Sequence, residues 1–424
     1  MQVAVIGAGV AGLQQGRALQ KRSFDFHIYE TEIGVGGVWR TTAHLQGAQV
    51  TYPYYEFPEF PWPDALIQKH RGAVTPPAPV VQQCTPSSFN WSPASVSQLL
   101  SQSCGRQQHG IVAGVPVAKH PYLQGLMLSR QACAHFWLPL NLLGFIPCDY
   151  IKYSCFGVWL STHPYPSSYP SLPRITQFIH RIMTPVKQAI WKSMGMLLPW
   201  QSGLPPEMIP VRGAEEDTFA ELGTINPGSI FLKHLHTGKI KVVPGQAEAF
   251  AKDGLQTLSG QAIPADLVIY ATGFERKYDY LAEETLKALH QTEEGIPWYR
   301  DTIPTDVQGL AFVGSEVITF NTVTNSALQA EWLAALLQGA FDLPPKDEQR
   351  ADVARKQAWR YSFIPPHNFR AGRLAHCHQL LWDELLCDMG YSKYRKGWGL
   401  LKEVWQPYKI ADYRDIFMHT SSKV

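Results

Sequence analysis

The stretch VAVIGAGVAGLQQGRALQ, residues 3–20, decides the fold of this chain. Its first residues are apolar and β-branched, which predicts a short buried strand. Gly7, Gly9 and Gly12 follow with the spacing G-x-G-x-x-G, and a helix is expected to begin there. In such a turn the first glycine permits the bend, the second admits a pyrophosphate, and the third lets the helix pack on the strand. The helix N-terminus then points N–H groups at the phosphates.

The next predicted strand ends in an acidic residue. FDFHIYE, residues 24–30, is typical of a strand, and its last residue, Glu30, lies 18 positions beyond Gly12. A carboxylate at about this distance binds the ribose hydroxyls of a dinucleotide in β-α-β units of this kind. A glycine-rich turn that binds nothing is the alternative. The order of strand, turn, helix, strand and acid favours a dinucleotide-binding α/β fold.

The composition argues against several classes of protein. A chain of 424 residues is long enough for two or three domains. The formal net charge of +2, without a Lys/Arg run, argues against a nucleic-acid partner. The seven cysteines include no C-x-x-C pair, so neither a metal site nor a disulfide scaffold is expected. No basic segment precedes the first apolar run, which favours a cytoplasmic location over secretion.

A second pair of glycines and an aromatic stretch narrow the choice of dinucleotide. ETEIGVGGVWR, residues 30–40, places Gly36, Gly37 and Trp39 just beyond the acid, and EFPEFPWP follows at residues 56–63. These segments resemble the start of flavin-containing monooxygenases, where the acid precedes a Gly-Gly-x-Trp element and then an F-x-x-F-P-x-P segment. Baeyer–Villiger and plant indole-pyruvate monooxygenases share these motifs.

The resemblance implies that the first dinucleotide is FAD. Gly37 and Trp39 would lie along the flavin side of the groove, with an ordinary core aromatic as the alternative for Trp39. Many members of the family carry an Asn near the flavin, whereas this chain has Thr51, Tyr52 and Pro53 at the matching place. No catalytic residue is therefore nominated. The residues that would hold the ADP part of FAD are Gly7, Gly9, Gly12 and Glu30.

The resemblance resumes in the second half of the chain. Residues 229–274 predict alternating strands with glycine turns, and they end in ATGF (271–274), which matches an Ala-Thr-Gly-Tyr/Phe element of the family. GLAFVGS, residues 309–315, predicts another buried strand. A long amphipathic helix is predicted over residues 321–344, with Thr324 or Asn325 as its N-cap. The family implies that the N-terminus of this helix faces the flavin.

The middle of the chain departs from the family pattern. The 142 residues between Asp64 and Glu207 contain one acidic residue, Asp149, whereas about a quarter of an ordinary domain is charged. Three interpretations are open: a disordered linker, a membrane-facing patch around the apolar run 136–148, or sequence altered by drift, splicing or a shifted reading frame. The comparison with the family favours the third interpretation for residues 70–118.

The second glycine-rich turn, which holds NADPH in the family, is missing. The nearest candidate, GIVAGVPVAKH at 110–120, has glycines four apart and a helix-breaking Pro116. The following segment resembles a strand of the NADPH domain and implies that Arg130 faces the 2′-phosphate of NADPH. A solvated strand end is the alternative for Arg130. The NADPH site is expected to be incomplete.

The predicted fold class is α/β, with a Rossmann-like FAD domain and an inserted, incomplete NADPH domain. The FAD domain is expected in two parts, at 1–68 and 255–345. Between them lie a divergent or disordered segment, 69–118, and an NADPH-domain-like insert, 119–254. Residues 346–424 are expected to form a C-terminal helical segment.

The resemblance implies a monooxygenase that uses FAD and NADPH and takes O2 and a small-molecule substrate. One oxygen atom would enter a nucleophilic nitrogen or sulfur compound, or a carbonyl compound, through a flavin C4a-hydroperoxide. The first alternative is an inactive relative that binds FAD but is incompetent with NADPH. The second is a membrane-associated binding protein that uses the apolar region 136–160 for a peripheral membrane contact.

Overall fold

A computed structural model gives the fold of the following parts of the chain: 1–37, 56–60, 91–93, 110–114, 178, 181–202, 230–243, 247–269, 278–289, 297–315, 322–362, 378–397, 402–403 and 406–418. In chain order, the strands are β1 (Gln2–Ile6), β2 (Asp25–Glu30), β3 (Trp91–Pro93), β4 (Gly110–Gly114), β5 (Ala247–Ala251), β6 (Gly254–Thr257), β7 (Ala262–Pro264), β8 (Trp298–Tyr299), β9 (Ile303–Pro304) and β10 (Leu310–Val313). The helices are α1 (Val10–Lys21), α2 (Thr184–Ser202), α3 (Ile230–His236), α4 (Glu283–Ala288), α5 (Thr322–Gln338), α6 (Lys346–Tyr361), α7 (His378–Asp388) and α8 (Arg414–Met418), with a 3-10 helix at Ile410–Tyr413.

A parallel sheet organises the N-terminal part of the fold. Its strand order is β10-β4-β1-β2-β3. β1 is the middle strand, and its Val3 and Val5 are buried. Parallel strands covered on both faces are typically rich in apolar, β-branched residues, which is what the sequence of β1 supplies. The predicted strands at the start of the chain, at 24–30 and at 309–315 are confirmed, and so is the α/β class.

Two strands of this sheet come from the segment 69–118, which the sequence predicts to be divergent or disordered. β3 pairs with β2 at one edge, and β4 lies between β1 and β10. On β4, Val112 lies opposite Val5 on one side and Ala311 on the other. The backbone groups of β3 and β4 thus pair within the central sheet. The divergence of the segment and the predicted domain limits remain predictions.

Helices α1 and α5 pack against each other beside the sheet. α5 is buried along most of its length, which is typical of a helix at the centre of a core. At the end of α1, Lys21 Nζ lies 3.3 Å and Arg22 Nη1 lies 2.6 Å from the carboxylate of Glu331 on α5. The helix predicted over residues 321–344 is confirmed for residues 322–338, and its apolar residues pack in the core as expected.

The predicted N-cap of this helix is wrong. α5 begins at Thr322, so Thr324 and Asn325 lie inside its first turn. The Asn325 amide accepts a hydrogen bond from Trp382 Nε1 at 3.1 Å and donates to Gln329 Oε1 at 3.1 Å. Asn325 therefore bonds to side chains of α5 and α7 instead of capping backbone N–H groups. A local sequence pattern does not distinguish these two uses of an Asn.

The strands predicted over residues 229–274 are confirmed only in part. Residues 247–264 form the antiparallel sheet β5-β6-β7, but the preceding residues form helix α3 instead of a strand. Leu232 of α3 is buried, and Gly238 just beyond the helix has a φ of +72°. A glycine in this left-handed conformation commonly ends a helix, and basic side chains in the last turn favour the same end.

The hairpin of β8 and β9 turns through two non-glycine residues in the left-handed conformation. Arg300 and Asp301 have φ values of +53° and +51°, and the Thr302 N–H donates to Tyr299 O at 3.0 Å to close the turn. Hairpin turns of this shape usually contain Asn or Gly, because a Cβ atom is unfavourable at positive φ. Other interactions must therefore stabilise this turn.

Buried ion pairs supply that stabilisation. The Arg300 guanidinium donates Nε and Nη2 to the two carboxylate oxygens of Asp388, at 2.7 and 2.9 Å. It also donates Nη1 to Asp352 at 3.1 Å, and Arg360 donates to both oxygens of Asp301 at 3.2 and 3.1 Å. These pairs join the hairpin to α6 and α7. The hairpin cluster is hereafter the set Arg300, Asp301, Asp352, Lys356, Arg360, Glu384 and Asp388.

The hairpin cluster makes the stability of the fold depend on pH. Burial raises the pKa of Asp352, but Lys356 and Arg300 outweigh burial and lower this pKa below its ordinary value. An acid whose pKa is lower in the folded state stabilises the fold at neutral pH, and this contribution is lost as the pH falls through the lowered pKa. We expect Asp352→Asn to lower the free energy of unfolding at neutral pH by about 1–3 kcal/mol.

Urea unfolding followed by circular dichroism tests this at neutral pH and at about pH 3. The difference between wild type and Asp352→Asn should shrink at the lower pH, because the unfolded chain takes up a proton at Asp352 at a higher pH than the folded chain, whose Asp352 pKa is lowered. Asp347→Asn on the same helix is the matched control, since its side chain is 95% exposed and pairs with Arg350 at the surface. Equal effects of the two substitutions, or a pH-independent effect of Asp352→Asn, would contradict the prediction.

Candidate functional site

The glycine-rich turn lies at the carboxyl edge of the parallel sheet, where β1 ends. Gly7 has a φ of +98°, and its N–H donates to Tyr29 O of β2 at 2.7 Å. Gly9 precedes α1 in an extended conformation and offers no side chain to cap the helix. The first hydrogen bond of the helix runs from Leu13 N to Gly9 O at 3.0 Å. The N–H groups before Leu13 therefore lack an acceptor within the helix, which suits an anion.

Close backbone contacts explain why glycine is needed in this turn. A Cβ atom at position 12 would lie 1.8 Å from Gly7 O and 2.9 Å from Gly7 C, so no side chain fits there. The second glycine pair returns to the same place, and the Gly36 N–H donates to Ala8 O at 2.8 Å. Gly37 has a φ of +54°, and a Cβ atom on it would lie 3.1 Å from Gly9 Cα. The two glycine segments thus form one backbone-lined cradle.

The carboxylate of Glu30 holds this cradle from the end of β2. Glu30 is buried, and its Oε2 accepts a hydrogen bond from the Ala8 N–H at 2.7 Å. Its Oε1 accepts from the Glu32 N–H at 3.0 Å and from Thr31 Oγ1 at 3.2 Å. A carboxylate accepts about four hydrogen bonds. Glu30 therefore fixes the turn while keeping capacity for one further donor.

The end of β10 and the start of α5 border the same cradle. Gly314 has a φ of +69°, and a Cβ atom there would lie 2.8 Å from both Ala11 Cβ and Ser326 Oγ. Ser326 is fully buried, and its hydroxyl has no hydrogen-bond partner in the described part of the chain. Two helices, α1 and α5, consequently begin close together at the carboxyl edge of the sheet.

The structure brings together five of the seven predicted cofactor residues. Trp39 and Arg130 lie outside the described residues, as does the ATGF element at 271–274. The sequence did not predict that Ser326 and the buried Gln329 contact Gly314 at the border of the cradle. In the sequence, only Gly314, near the end of the predicted strand 309–315, indicated that this region of the chain approaches the cradle. The five residues that meet in the cradle are Gly7, Gly9, Gly12, Glu30 and Gly37.

Two sequence models of protein families match separate parts of the chain. The model described as "NAD(P)-binding Rossmann-like domain" matches residues 5–61, which include the cradle. The model described as "Flavin-binding monooxygenase-like" matches residues 233–373, which include β10 and α5. The first match agrees with the geometry of the cradle, and the second shows that residues 233–373 are similar to flavin-binding monooxygenases.

Individual relatives agree with this class. The chain is 28% identical to "Probable flavin-containing monooxygenase 1" of Arabidopsis thaliana over 48% of this chain and 38% of that protein. It is 21% identical to "Flavin-containing monooxygenase 1" of Mus musculus over 85% of this chain and 78% of that protein. Among solved structures, an S-allyl-L-cysteine S-oxygenase from Allium sativum aligns at 14% identity with a TM-score of 0.47, covering 92% of this chain and 89% of that one. The resemblance predicted from the sequence is confirmed, because the matched segments are similar to flavin-containing monooxygenases.

The relatives also show that the similarity to plant proteins is partial. The alignment with "Putative flavin-containing monooxygenase 2" of Arabidopsis thaliana, at 32% identity, covers 32% of this chain and 30% of that protein. The chain therefore matches only about a third of the length of these two plant relatives.

The contact between Gly12 and Gly7 gives a prediction on stability. We expect Gly12→Ala to lower the free energy of unfolding by about 3 kcal/mol, because the new Cβ atom would meet fixed backbone. Gly16→Ala on the same helix is the matched control. Its Cβ atom would meet the end of the Ile28 side chain at 2.6 Å, which can move, and alanine improves helix propensity. Urea unfolding of both variants checks the prediction, which fails if Gly16→Ala is the more harmful.

Proposed function

We propose that this chain is an FAD-dependent monooxygenase that takes electrons from NADPH. The observation that carries the proposal is the backbone-lined cradle at the carboxyl edge of the sheet, bordered by the start of α1 and by Glu30. The substrate would be a small nucleophilic nitrogen or sulfur compound or a carbonyl compound, as the family resemblance implies.

The described residues fit the ADP part of FAD. Positions 7, 9, 12 and 37 present backbone without side chains, so a pyrophosphate can approach N–H groups at the start of α1. Glu30 has one lone-pair position left for a ribose hydroxyl. The buried Ser326 hydroxyl beside Gly314, at the same edge, has no hydrogen-bond partner among the residues that the structure describes. Unpaired buried polar groups are unfavourable, so a polar ligand at this edge would stabilise the fold.

In the proposed reaction the protein would bind and orient the cofactors and exclude water from the reacting atoms. FAD and NADPH, when bound, supply the redox chemistry by which one atom of O2 enters the substrate and the other leaves as water. The chain would contribute a pyrophosphate cradle, a ribose acceptor and two helix N-termini that orient the dinucleotide. No acid–base side chain among the described residues is assigned to catalysis, and no cluster of metal-ligating residues is found among them.

A second candidate function is supported by a specific observation. The nearest sequence to a second glycine-rich turn, at 110–114, forms β4 of the first sheet. It is thus committed to the proposed FAD domain, and Arg130, the proposed NADPH ligand, lies outside the described residues. The alternative is a protein that binds FAD but does not react with NADPH.

The proposals on membrane contact and location do not depend on the cradle. The apolar region 136–160 lies outside the described residues. Within the parts of the chain that the structure describes, no helix has both the length and the apolar character required to cross a bilayer. A cytoplasmic location and a peripheral membrane contact are both still predictions from the sequence.

An absorbance spectrum of the purified chain tests the proposed function. A visible flavin spectrum that NADPH bleaches without air, and that O2 restores, supports the monooxygenase. O2 uptake should then rise with a thioether, a tertiary amine or a cyclic ketone. A flavin spectrum that NADPH leaves unchanged supports the second candidate. A chain that takes up no FAD after reconstitution would overturn both.

Glu30 provides a residue-level test. We expect Glu30→Gln to weaken FAD binding about tenfold, because one amide N–H would face a backbone N–H and a buried hydrogen bond would be lost. Glu32→Gln is the matched control, since it removes a charge nearby but keeps the Glu32 N–H that donates to Glu30. Titration of the apoprotein with FAD, followed by flavin fluorescence, measures both. Equal affinity of Glu30→Gln and wild type would refute the role of Glu30.

A further inference from the structure

The buried side-chain amide of Gln329, in the middle of α5, connects the end of β10 to the β8–β9 hairpin. Gln329 is fully buried. Its Oε1 accepts hydrogen bonds from the Gly314 N–H at 2.9 Å and from Asn325 Nδ2 at 3.1 Å. Its Nε2 donates to Thr302 Oγ1 at 3.0 Å. Both ends of the side chain are therefore paired, as a buried amide requires.

The hydrogen bonds of Gln329 continue into two other elements. Thr302 Oγ1 donates to Arg300 O at 2.9 Å, which connects Gln329 to the hairpin cluster. Asn325 Oδ1 accepts from Trp382 Nε1, which connects it to α7. Such a satisfied buried network specifies one arrangement of the elements that it joins.

The hydrogen bonds of Gln329 reach the border of the cradle at Gly314. Gly314 is the residue through which the chain leaves β10, and it lies against Ala11 at the start of α1 and Ser326 at the start of α5. The hydrogen bond from its N–H to Gln329 ties the positive-φ bend at Gly314 to α5. Gln329 thereby fixes the spacing between the N-termini of α1 and α5.

We propose that Gln329 is a positioning residue for the dinucleotide, acting through Gly314 and the first turn of α5. The proposal rests on the proposed function, because the ligand used to measure it is FAD. Losing the Gln329 hydrogen bonds should loosen the cradle border and weaken FAD binding beyond any general loss of stability.

The experiment measures FAD affinity and, separately, the free energy of unfolding of the apoprotein. Gln329→Leu should weaken FAD binding about tenfold, the equivalent of one buried hydrogen bond. The matched control is Gln379→Leu on α7. Gln379 is also a buried amide, and its Nε2 donates to Tyr413 OH at 3.1 Å and to Asp383 Oδ1 at 3.4 Å, neither of which belongs to β10 or α5. It should lose similar stability and keep its FAD affinity within about twofold.

A conservative pair at Thr302 tests the same network without altering α5. Thr302→Val removes the hydroxyl that accepts from Gln329, whereas Thr302→Ser keeps it. The Val variant should weaken FAD binding several-fold, and the Ser variant should bind as wild type does. The effects of Gln329→Leu and Thr302→Val should not add, because the two residues share one contact. The Thr302 pair decides the question even if Gln329→Leu does not fold.

The outcomes separate the two proposals. If wild type binds FAD and both Gln329→Leu and Thr302→Val bind it equally well, the positioning role is overturned and the proposed function stands. If the two Leu variants lose FAD affinity only in proportion to their stability, the role is likewise overturned. If wild type binds no FAD, the proposed function fails, and this inference fails with it.

Discussion

Helix α1 can follow β1 directly only because position 12 carries no side chain, since a Cβ atom there would lie 1.8 Å from Gly7 O. This contact sets where α1 begins and therefore which N–H groups face the carboxyl edge of the sheet. The other parts of the cradle are arranged around it. Glu30 bonds to the Ala8 N–H inside the turn, and Gly37 passes close to Gly9. All described residues that we propose for FAD binding depend on this one approach of helix to strand.

Where the β8–β9 hairpin meets α6 and α7, ion pairs as well as apolar packing stabilise the core. The hairpin cluster stabilises a turn whose two central residues have unfavourable positive φ values, and it anchors α6 and α7 to that turn. Trp332 Nε1 on α5 donates to Asp388 at 3.0 Å, so the cluster also contacts the central helix. α5 therefore connects the charged hairpin cluster with the glycine-lined cradle at the carboxyl edge. Gln329 is the polar link between the two.

The parts of the fold that follow from local pattern could be predicted from the sequence. The turn at Gly7–Gly12, the acid at Glu30 and the apolar period of α5 each depend on neighbours in the chain. The strand 110–114 could not be placed, because its pairing with β1 and β10 is set by residues about a hundred or more positions away. The role of Asn325 was predicted wrongly and Gln329 was missed for the same reason, since their partners Trp382 and Thr302 are distant in sequence.

The position of β4 between β1 and β10 has a consequence for how the chain folds. The middle strands of the sheet are adjacent in space, yet residues from three widely separated parts of the chain must meet to build them. During synthesis, β1, β2, β3 and β4 emerge well before β10 and α5. Until β10 is made, the edge of β4 that it pairs with stays open, and an open strand edge favours aggregation. The sheet of the N-terminal strands is thus completed only by the C-terminal third of the chain.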